Sequence, residues 1–187
     1  MRSTEVGMRE LKKQFRSLVE ANKANASYQR AEADWSRGRL HSAFKFMRRA
    51  AEAGMVAAFE TLAQFYDFGT GTNVNKGKAL YWYRRAHRQG SDSAATNIGC
   101  ILRDRHQRRN AVAWWHRAIA LGDDEANLNI AKLYLHNKRQ RKKAARYLAR
   151  VVRSAWTTEG GKEEARLLLR QLRLEQTTEG RGSIRFR

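Results

Sequence analysis

The chain contains no proline, and this absence favours long, uninterrupted helices, because proline removes a backbone donor and kinks a helix interior. Its single cysteine, Cys100, excludes a disulfide framework and a paired-cysteine zinc site. No run of about 18 apolar residues occurs, so we expect no membrane-spanning helix. The first residues are basic and lack a following apolar segment, which argues against a secretory signal, and we expect a cytoplasmic location.

Acidic residues are scarce relative to basic ones. The 38 lysines and arginines outnumber the 18 aspartates and glutamates, and the formal net charge is +20. Such an excess attracts polyanions and accelerates their encounter with the protein. Nucleic acid, an acidic protein and anionic lipid are all compatible with this charge, and the charge alone does not select among them.

A helix-hairpin unit recurs along the chain, in register with the glycines Gly54, Gly90 and Gly122. At fixed offsets from each glycine the sequence repeats small alanines, large apolar residues and an aromatic pair. The positions that we expect to pack the hairpins together are Ala58, Leu62, Tyr66, Gly69, Gly71, Ala79, Trp82, Tyr83, Ala86, Gly90, Trp114, Trp115 and Gly122. One common register across several segments predicts hairpins that stack on one another, since no single hairpin buries its apolar faces.

These residues resemble the Sel-one-like repeat family, a branch of the tetratricopeptide-type helical repeats. The family's pattern runs approximately A-x3-LG-x2-Y-x2-G-x-GV, a short loop, and then A-x2-WY-x-KAA-x2-G. The unit from Gly54 to Gly90 follows this pattern, except that Ala63 replaces a glycine and Thr72 replaces a valine. The similarity extends over about residues 24–156. It implies an α-solenoid that scaffolds other proteins, and it does not identify the partner.

We therefore predict an all-α, right-handed α-solenoid of about four helix hairpins with a capping helix at each end. The predicted organisation is an amphipathic N-terminal capping helix (1–23), four repeats (24–54, 55–90, 91–122 and 123–156), a C-terminal capping helix (157–175) and a flexible tail (176–187). The N-terminal helix carries an apolar stripe that includes Met8, Leu11, Phe15 and Leu18. Its basic amphipathic character is also typical of an element that binds a membrane surface or a partner.

The sequence contains no recognisable catalytic, phosphate-binding or metal-binding motif, and we therefore expect no enzyme. The Gly77-Lys78 pair is not a phosphate-binding loop, because Thr72 stands where such a loop needs glycine. The five histidines are scattered singly, which argues against a metal site. No serine or cysteine lies in a recognisable nucleophile motif. The sequence therefore predicts no catalytic residue, no metal, no cofactor and no small-molecule substrate.

Basic residues, by contrast, are organised. An arginine stands five residues before each terminal glycine or its equivalent, and the turns between the paired helices are also basic. The candidate binding residues on this edge are Arg85, Arg103, Arg105, Arg108, Arg109, Arg117, Lys138, Arg139, Arg141, Lys142, Lys143 and Arg150. We expect either this edge or the concave surface of the solenoid to hold a protein partner, an acidic one if it binds the edge. The phosphate backbone of a nucleic acid is the alternative ligand of the edge, and we do not expect a membrane partner. A solvated face without a ligand also fits, because loop tips are polar in any soluble protein.

Overall fold

The computed structural model describes the backbone of residues 2–182 and the side chains of residues 8–175, and within these residues every regular element is helical. The α-helices are α1 (Arg2–Ser36), α2 (Leu40–Glu52), α3 (Ala57–Phe68), α4 (Lys76–Arg88), α5 (Asp92–Asp104), α6 (Arg108–Ala120), α7 (Ala126–Leu135), α8 (Arg141–Arg153) and α9 (Glu159–Gly182). A 3₁₀ turn, Lys138–Gln140, precedes α8. The chain divides into two compact units between Gln89 and Gly90.

Each unit is built from helices that pack on their neighbours in chain order. In the first unit α1 packs on α2, α2 on α3, and α3 on α4. In the second unit the same pattern runs from α5 to α9, and α9 lies against α8. This sequential stacking of hairpins is the arrangement in which each repeat buries the apolar face of the next. The predicted all-α solenoid of helix hairpins is confirmed.

The two ends of the chain differ from the expected boundaries. Helix α1 runs without a break from Arg2 to Ser36, so the expected division between a capping helix (1–23) and a first repeat is corrected to one continuous helix. No glycine or proline stands near that boundary to end the helix. Helix α9 likewise extends past residue 175 to Gly182, and residues 183–187 of the expected tail lie outside the described residues.

The apolar stripe near the start of α1 is exposed. Met8, Leu11, Phe15 and Leu18 each have more than half of their surface accessible to solvent, from 59% to 68%. The residues of α1 that become buried, Ala24, Ala31 and Asp34 among them, come later in the helix. The stripe therefore does not cover the first hairpin, contrary to the expectation from its amphipathic pattern, because α1 turns a different set of residues toward α2.

One close approach between paired helices in the second unit depends on a glycine. Trp115 of α6 is fully buried, and its indole Nε1 donates a hydrogen bond to the carbonyl oxygen of Thr96 at 3.2 Å. A Cβ atom at Gly99 of α5 would lie 2.4 Å from that same Nε1, which is far inside van der Waals contact. In the preceding hairpin, the smaller Tyr83 stands at the position of Trp115, and Ala63 stands at the position of Gly99. The departure from the family's glycine at position 63 thus coincides with a smaller aromatic partner.

A second glycine brings two successive hairpins of the first unit together. Gly71, in the turn between α3 and α4, has a φ of +67°, and a Cβ atom there would lie 2.1 Å from the carbonyl oxygen of Leu40. The neighbouring His41 places Nδ1 3.2 Å from the carbonyl oxygen of Gly71. The turn therefore rests directly on the first residues of α2, and only glycine fits at this contact.

Most of the residues expected to pack the hairpins have little exposed surface. Trp114 is half-buried. The fully or nearly fully buried members are Ala58, Leu62, Tyr66, Ala79, Trp82, Tyr83, Ala86 and Trp115. In the last hairpin the core continues into α9, where Ala165 and Leu172 join Leu148 and Val151 of α8.

One carboxylate, Asp34, lies fully buried between α1 and α2. Its Oδ2 accepts a hydrogen bond from Ser42 Oγ at 2.6 Å and another from Arg30 Nε at 3.1 Å, while Nη1 of Arg39 lies 3.6 Å from Oδ1. The hydrogen bond from Ser42 and the two guanidinium groups lower the pKa of Asp34, and they outweigh the burial that acts in the opposite direction. Asp34 thus joins the two helices as an ionised group.

Gly99→Ala tests the close approach. In an ordinary helix this change is stabilising by up to about 1 kcal/mol, because alanine is the better helix former. Here the added methyl group meets the indole of Trp115, and we expect the free energy of unfolding to fall by about 1–3 kcal/mol. Urea denaturation of the full chain measures it. Gly160→Ala is the matched control, because nothing lies within 4 Å of a Cβ atom at that helical glycine. An equal response of the two variants would contradict the close packing.

Asp34→Asn tests the buried carboxylate through the pH dependence of stability. Because the folded-state pKa lies below the unfolded value of about 3.9, ionised Asp34 stabilises the protein above that pH, and the contribution disappears as pH falls through the folded pKa. We expect the urea midpoint of the wild type to exceed that of Asp34→Asn at neutral pH and the gap to narrow below about pH 4. Glu52→Gln, which removes an exposed carboxylate from α2, is the control, and a gap that does not change with pH would refute the assignment.

Candidate binding surfaces

A cleft of about 340 Å³ lies at one edge of the second unit, between the start of α6 and the α7–α8 turn. Arg108 and Arg109 contribute its charge, and the side chains of Asn137 and Gln140 contribute amide groups. Val112, Leu133 and Tyr134 form its apolar wall. We call the basic residues of the α5–α6 and α7–α8 turns and of the helix ends beside them the turn edge: Arg103, Arg105, Arg108, Arg109, Lys138, Arg139, Arg141, Lys142 and Lys143.

Two members of the turn edge are engaged inside the protein. Arg141 forms an ion pair with Glu175 at 3.0 Å, and only 19% of its side chain is exposed, so this arginine ties α8 to α9. Arg103 pairs with the adjacent carboxylate of Asp104 at 2.9 Å. Within the described residues, six members have no ion pair: Arg105, Arg108, Arg109, Arg139, Lys142 and Lys143. The accessible charge of the edge comes mainly from these six.

The regularly spaced arginines have a packing role that the sequence did not reveal. Each lies over an aromatic ring three residues before it in the same helix: Arg49 over Phe46 at 5.4 Å, Arg85 over Trp82 at 5.0 Å, Arg117 over Trp114 at 4.3 Å and Arg150 over Tyr147 at 5.2 Å. Residues three apart on a helix are neighbours, and a guanidinium favours the face of a ring. Binding of a partner is therefore not needed to explain this spacing.

The basic turn residues of the first unit are also engaged internally. Lys76 donates a 2.6 Å hydrogen bond to Oδ1 of the buried Asp67, and the ammonium of Lys78 lies 5.2 Å from the ring centre of Tyr66. Arg39 lies beside Asp34, as described above. In the part of the chain that the structure describes, the unpaired basic turn residues are accordingly concentrated in the second unit.

A second cleft lies at the opposite end of α6, α7 and α8. It has a volume of about 650 Å³ and is lined by Ile119, Asp124, Asn127, Arg146, Arg150, Arg153 and Ser154. We call it the arginine cleft. Arg146, Arg153 and Asn127 are not among the binding residues predicted from the sequence. The signal for the arginines was available, because positions 146, 150 and 153 have the i, i+4, i+7 spacing of one helix face.

The described residues offer little for metal chemistry or membrane insertion. No group of three His, Cys, Asp or Glu side chains in them converges on a point where an ion could bind. None of their helices combines the length and the apolar character that crossing a bilayer requires. One histidine, His116, instead lies 3.3 Å from the hydroxyl of Tyr147.

Comparison with known proteins identifies the repeats. The sequence profile of the Sel1 repeat matches residues 40–55, 62–91 and 98–123. The chain contains Sel1 repeats in these three segments. The matched segments contain Leu62, Trp82 and Trp115, which are buried at the helix contacts described above. A comparison with curated proteins finds no match.

Two solved structures of Sel1-type proteins are similar to this chain. One is a Sel1 repeat protein from Oxalobacter formigenes, with 25% identity and a TM-score of 0.56 over 70% of this chain and 56% of that one. The other is c5321, a protective antigen of uropathogenic Escherichia coli, with 17% identity and a TM-score of 0.56 over 81% of this chain and 38% of that one. The chain thus spans about half the length of the first protein and less of the second. The Sel1 repeat fold is generally a scaffold for protein–protein interaction.

Arg117→Gln tests the packing role of the spaced arginines. The guanidinium of Arg117 covers the ring of the half-buried Trp114, and exposed contacts of this kind contribute about 0.5–1 kcal/mol. We expect the free energy of unfolding of the protein to fall by that amount. Arg170→Gln is the control, because the exposed Arg170 of α9 has no described contact with an aromatic ring or a carboxylate. If both variants unfold at the same urea concentration, the ring contact contributes nothing.

Proposed function

We propose that the protein is a non-enzymatic scaffold that binds an acidic protein partner along the turn edge of the second unit. The observation that supports this most is the cleft between the start of α6 and the α7–α8 turn, with Arg108 and Arg109 on one side. Charged and amide groups there lie next to an apolar wall. Protein interfaces combine a desolvated apolar centre with a polar rim, and arginine is enriched in them.

The chemistry of this cleft favours a protein over a phosphate backbone. Phosphate contacts need cations and donors, and they leave an apolar wall such as Val112 and Leu133 unused. The phenol of Tyr134, whose pKa is raised by burial and by the neighbouring Tyr147, stays neutral and can donate a hydrogen bond to a carboxylate. The net charge of +20 still makes nucleic acid the alternative partner.

A cytoplasmic location stays a prediction from the sequence.

The Arg108→Gln/Arg109→Gln variant tests the turn edge. A tagged full-length chain captures partners from its native cells, with and without nuclease and over a series of salt concentrations. We expect a discrete protein that survives nuclease and moderate salt, is lost from the double variant, and is retained by the control Arg170→Gln/Arg173→Gln, which removes the same charge from α9. A protein captured equally by both variants would place the binding surface elsewhere.

The salt dependence of binding distinguishes a nucleic-acid partner from an acidic protein partner. If the turn edge binds a phosphate backbone, the affinity for a single-stranded oligonucleotide falls linearly on a log–log plot against salt, with a slope of about −0.7 per phosphate contacted. We expect Arg105→Gln/Arg139→Gln/Lys142→Gln/Lys143→Gln to fold like the wild type and to reduce that slope by up to about 3 units if all four contact phosphate. Fluorescence anisotropy measures it, and a slope unaffected by these changes would remove the edge from any nucleic-acid site.

A further inference from the structure

The arginine cleft has the properties of a second binding site, and its case does not depend on the turn edge. The cleft lies at the other end of α6, α7 and α8, and it shares no lining residue with the cleft at the turn edge. Both clefts lie within the second unit. The failure of either proposal therefore leaves the other untouched.

Three arginines on one face of α8 line the arginine cleft, and the guanidinium of one of them, Arg150, also lies over the ring of Tyr147. Arg146, Arg150 and Arg153 are exposed at its surface, and within the described residues none of them forms an ion pair with a carboxylate. One carboxylate, Asp124, also lines the cleft, and its Oδ2 already accepts a hydrogen bond from Ser154 Oγ. The balance of charge in the cleft is therefore positive. Guanidinium groups bind carboxylates and phosphates through paired, charge-assisted hydrogen bonds.

The buried side-chain amide of Asn127 favours a peptide carboxylate over a phosphate as the ligand of this cleft. Asn127, at the start of α7, is only 3% exposed. Its Nδ2 donates a 2.9 Å hydrogen bond to the carbonyl oxygen of Asp124, while its Oδ1 has no hydrogen-bond partner among the described residues. A buried acceptor without a donor is unfavourable, and few such atoms persist in folded proteins. Oδ1 is shielded from solvent, and because Asn127 lines the cleft, a small shift of its side chain toward the arginines would bring it within reach of a ligand N–H group.

From these observations we propose that the arginine cleft binds an extended acidic peptide segment. The arginines hold a carboxylate of the segment, and Asn127 Oδ1 accepts a hydrogen bond from a backbone N–H of the same segment. A nucleic-acid backbone or inorganic phosphate presents acceptors to the arginines but lacks the amide donor that Oδ1 needs. The volume of about 650 Å³ lies within the range of pockets that enclose small ligands, and it accommodates a few residues of peptide. The carboxylate belongs to an Asp or Glu side chain or to a free C-terminus.

Binding to synthetic peptides tests this assignment. The full-length chain is immobilised and exposed to two pools of randomised decapeptides, one with free C-terminal carboxylates and one with C-terminal amides, and the retained peptides are sequenced by mass spectrometry. We expect retained peptides enriched in Asp and Glu. Enrichment in both pools assigns the carboxylate to side chains, and enrichment in the free-acid pool alone assigns it to the C-terminus. The absence of acidic enrichment in either pool overturns the proposal.

Paired variants then locate the site. For the best retained peptide, we expect Arg146→Gln/Arg153→Gln to weaken binding by about a hundredfold, since two charge-assisted hydrogen bonds are removed. Arg170→Gln/Arg173→Gln removes the same charge from α9 and should change the affinity less than about threefold, the scale of a distant surface charge. Inorganic phosphate is included as a competitor, and it should displace the peptide poorly. Equal weakening by both variants, or displacement by phosphate as effective as by free peptide, overturns the proposal.

Asn127→Leu provides a readout that a purely structural role would not give. Leucine removes the unsatisfied acceptor and fills a similar volume, but it also removes the hydrogen bond from Nδ2 to the carbonyl oxygen of Asp124, so we expect the urea midpoint to change little. Peptide affinity should nevertheless fall by about tenfold, because one backbone hydrogen bond is lost. Asn127→Ser, which keeps an acceptor oxygen near Oδ1, should bind better than Asn127→Leu. A variant that loses stability and affinity in parallel, or that binds the peptide normally, contradicts the role of Asn127.

Discussion

The close approach of paired helices is the constraint on which the rest of each hairpin depends. Trp115 occupies the space that a side chain at Gly99 would need, and its indole nitrogen is fixed by the carbonyl oxygen of Thr96. The helices can therefore lie at this separation only if the position facing the indole is glycine. With Tyr83 in that place, the preceding hairpin carries Ala63. The size of the aromatic residue and the size of its small partner must therefore be matched.

The large positive charge has more than one physical role. Some of the basic residues contribute to packing, because the evenly spaced arginines cover aromatic rings of their own helices. Another part forms ion pairs that tie elements together, as Arg141 does with Glu175 and Lys76 with Asp67. Within the second unit, the charge that remains accessible lies largely in two places, the turn edge and the arginine cleft. Net charge alone would have overestimated the surface available to a polyanion.

The repeat pattern in the sequence was sufficient to predict the fold. Every hairpin solves the same packing problem, so matching offsets of alanine, glycine and aromatic residues predict matching contacts. The pattern could not predict contacts between residues outside the repeat, such as Arg141 with Glu175, because no periodicity relates α8 to α9. It also could not show that α1 continues through residue 23, since amphipathicity near Met8 and Leu11 suggests a covering face whether or not anything packs there. The turn edge could be predicted from composition, but the arginine cleft required knowing which ends of α6, α7 and α8 meet.

The two clefts limit how a partner can engage the second unit. Their outermost lining residues, Gln140 and Ser154, flank α8, a helix of 13 residues, which is about 20 Å long at 1.5 Å per residue. An extended chain advances about 3.3 Å per residue, so one segment would need about six residues to reach from one cleft to the other along this helix. A shorter acidic segment can occupy only one of them. Charge at both ends of the same helix therefore favours either a long acidic segment that follows α8 or two separate partners, and the distance between the clefts makes these arrangements distinguishable by the length of the bound peptide.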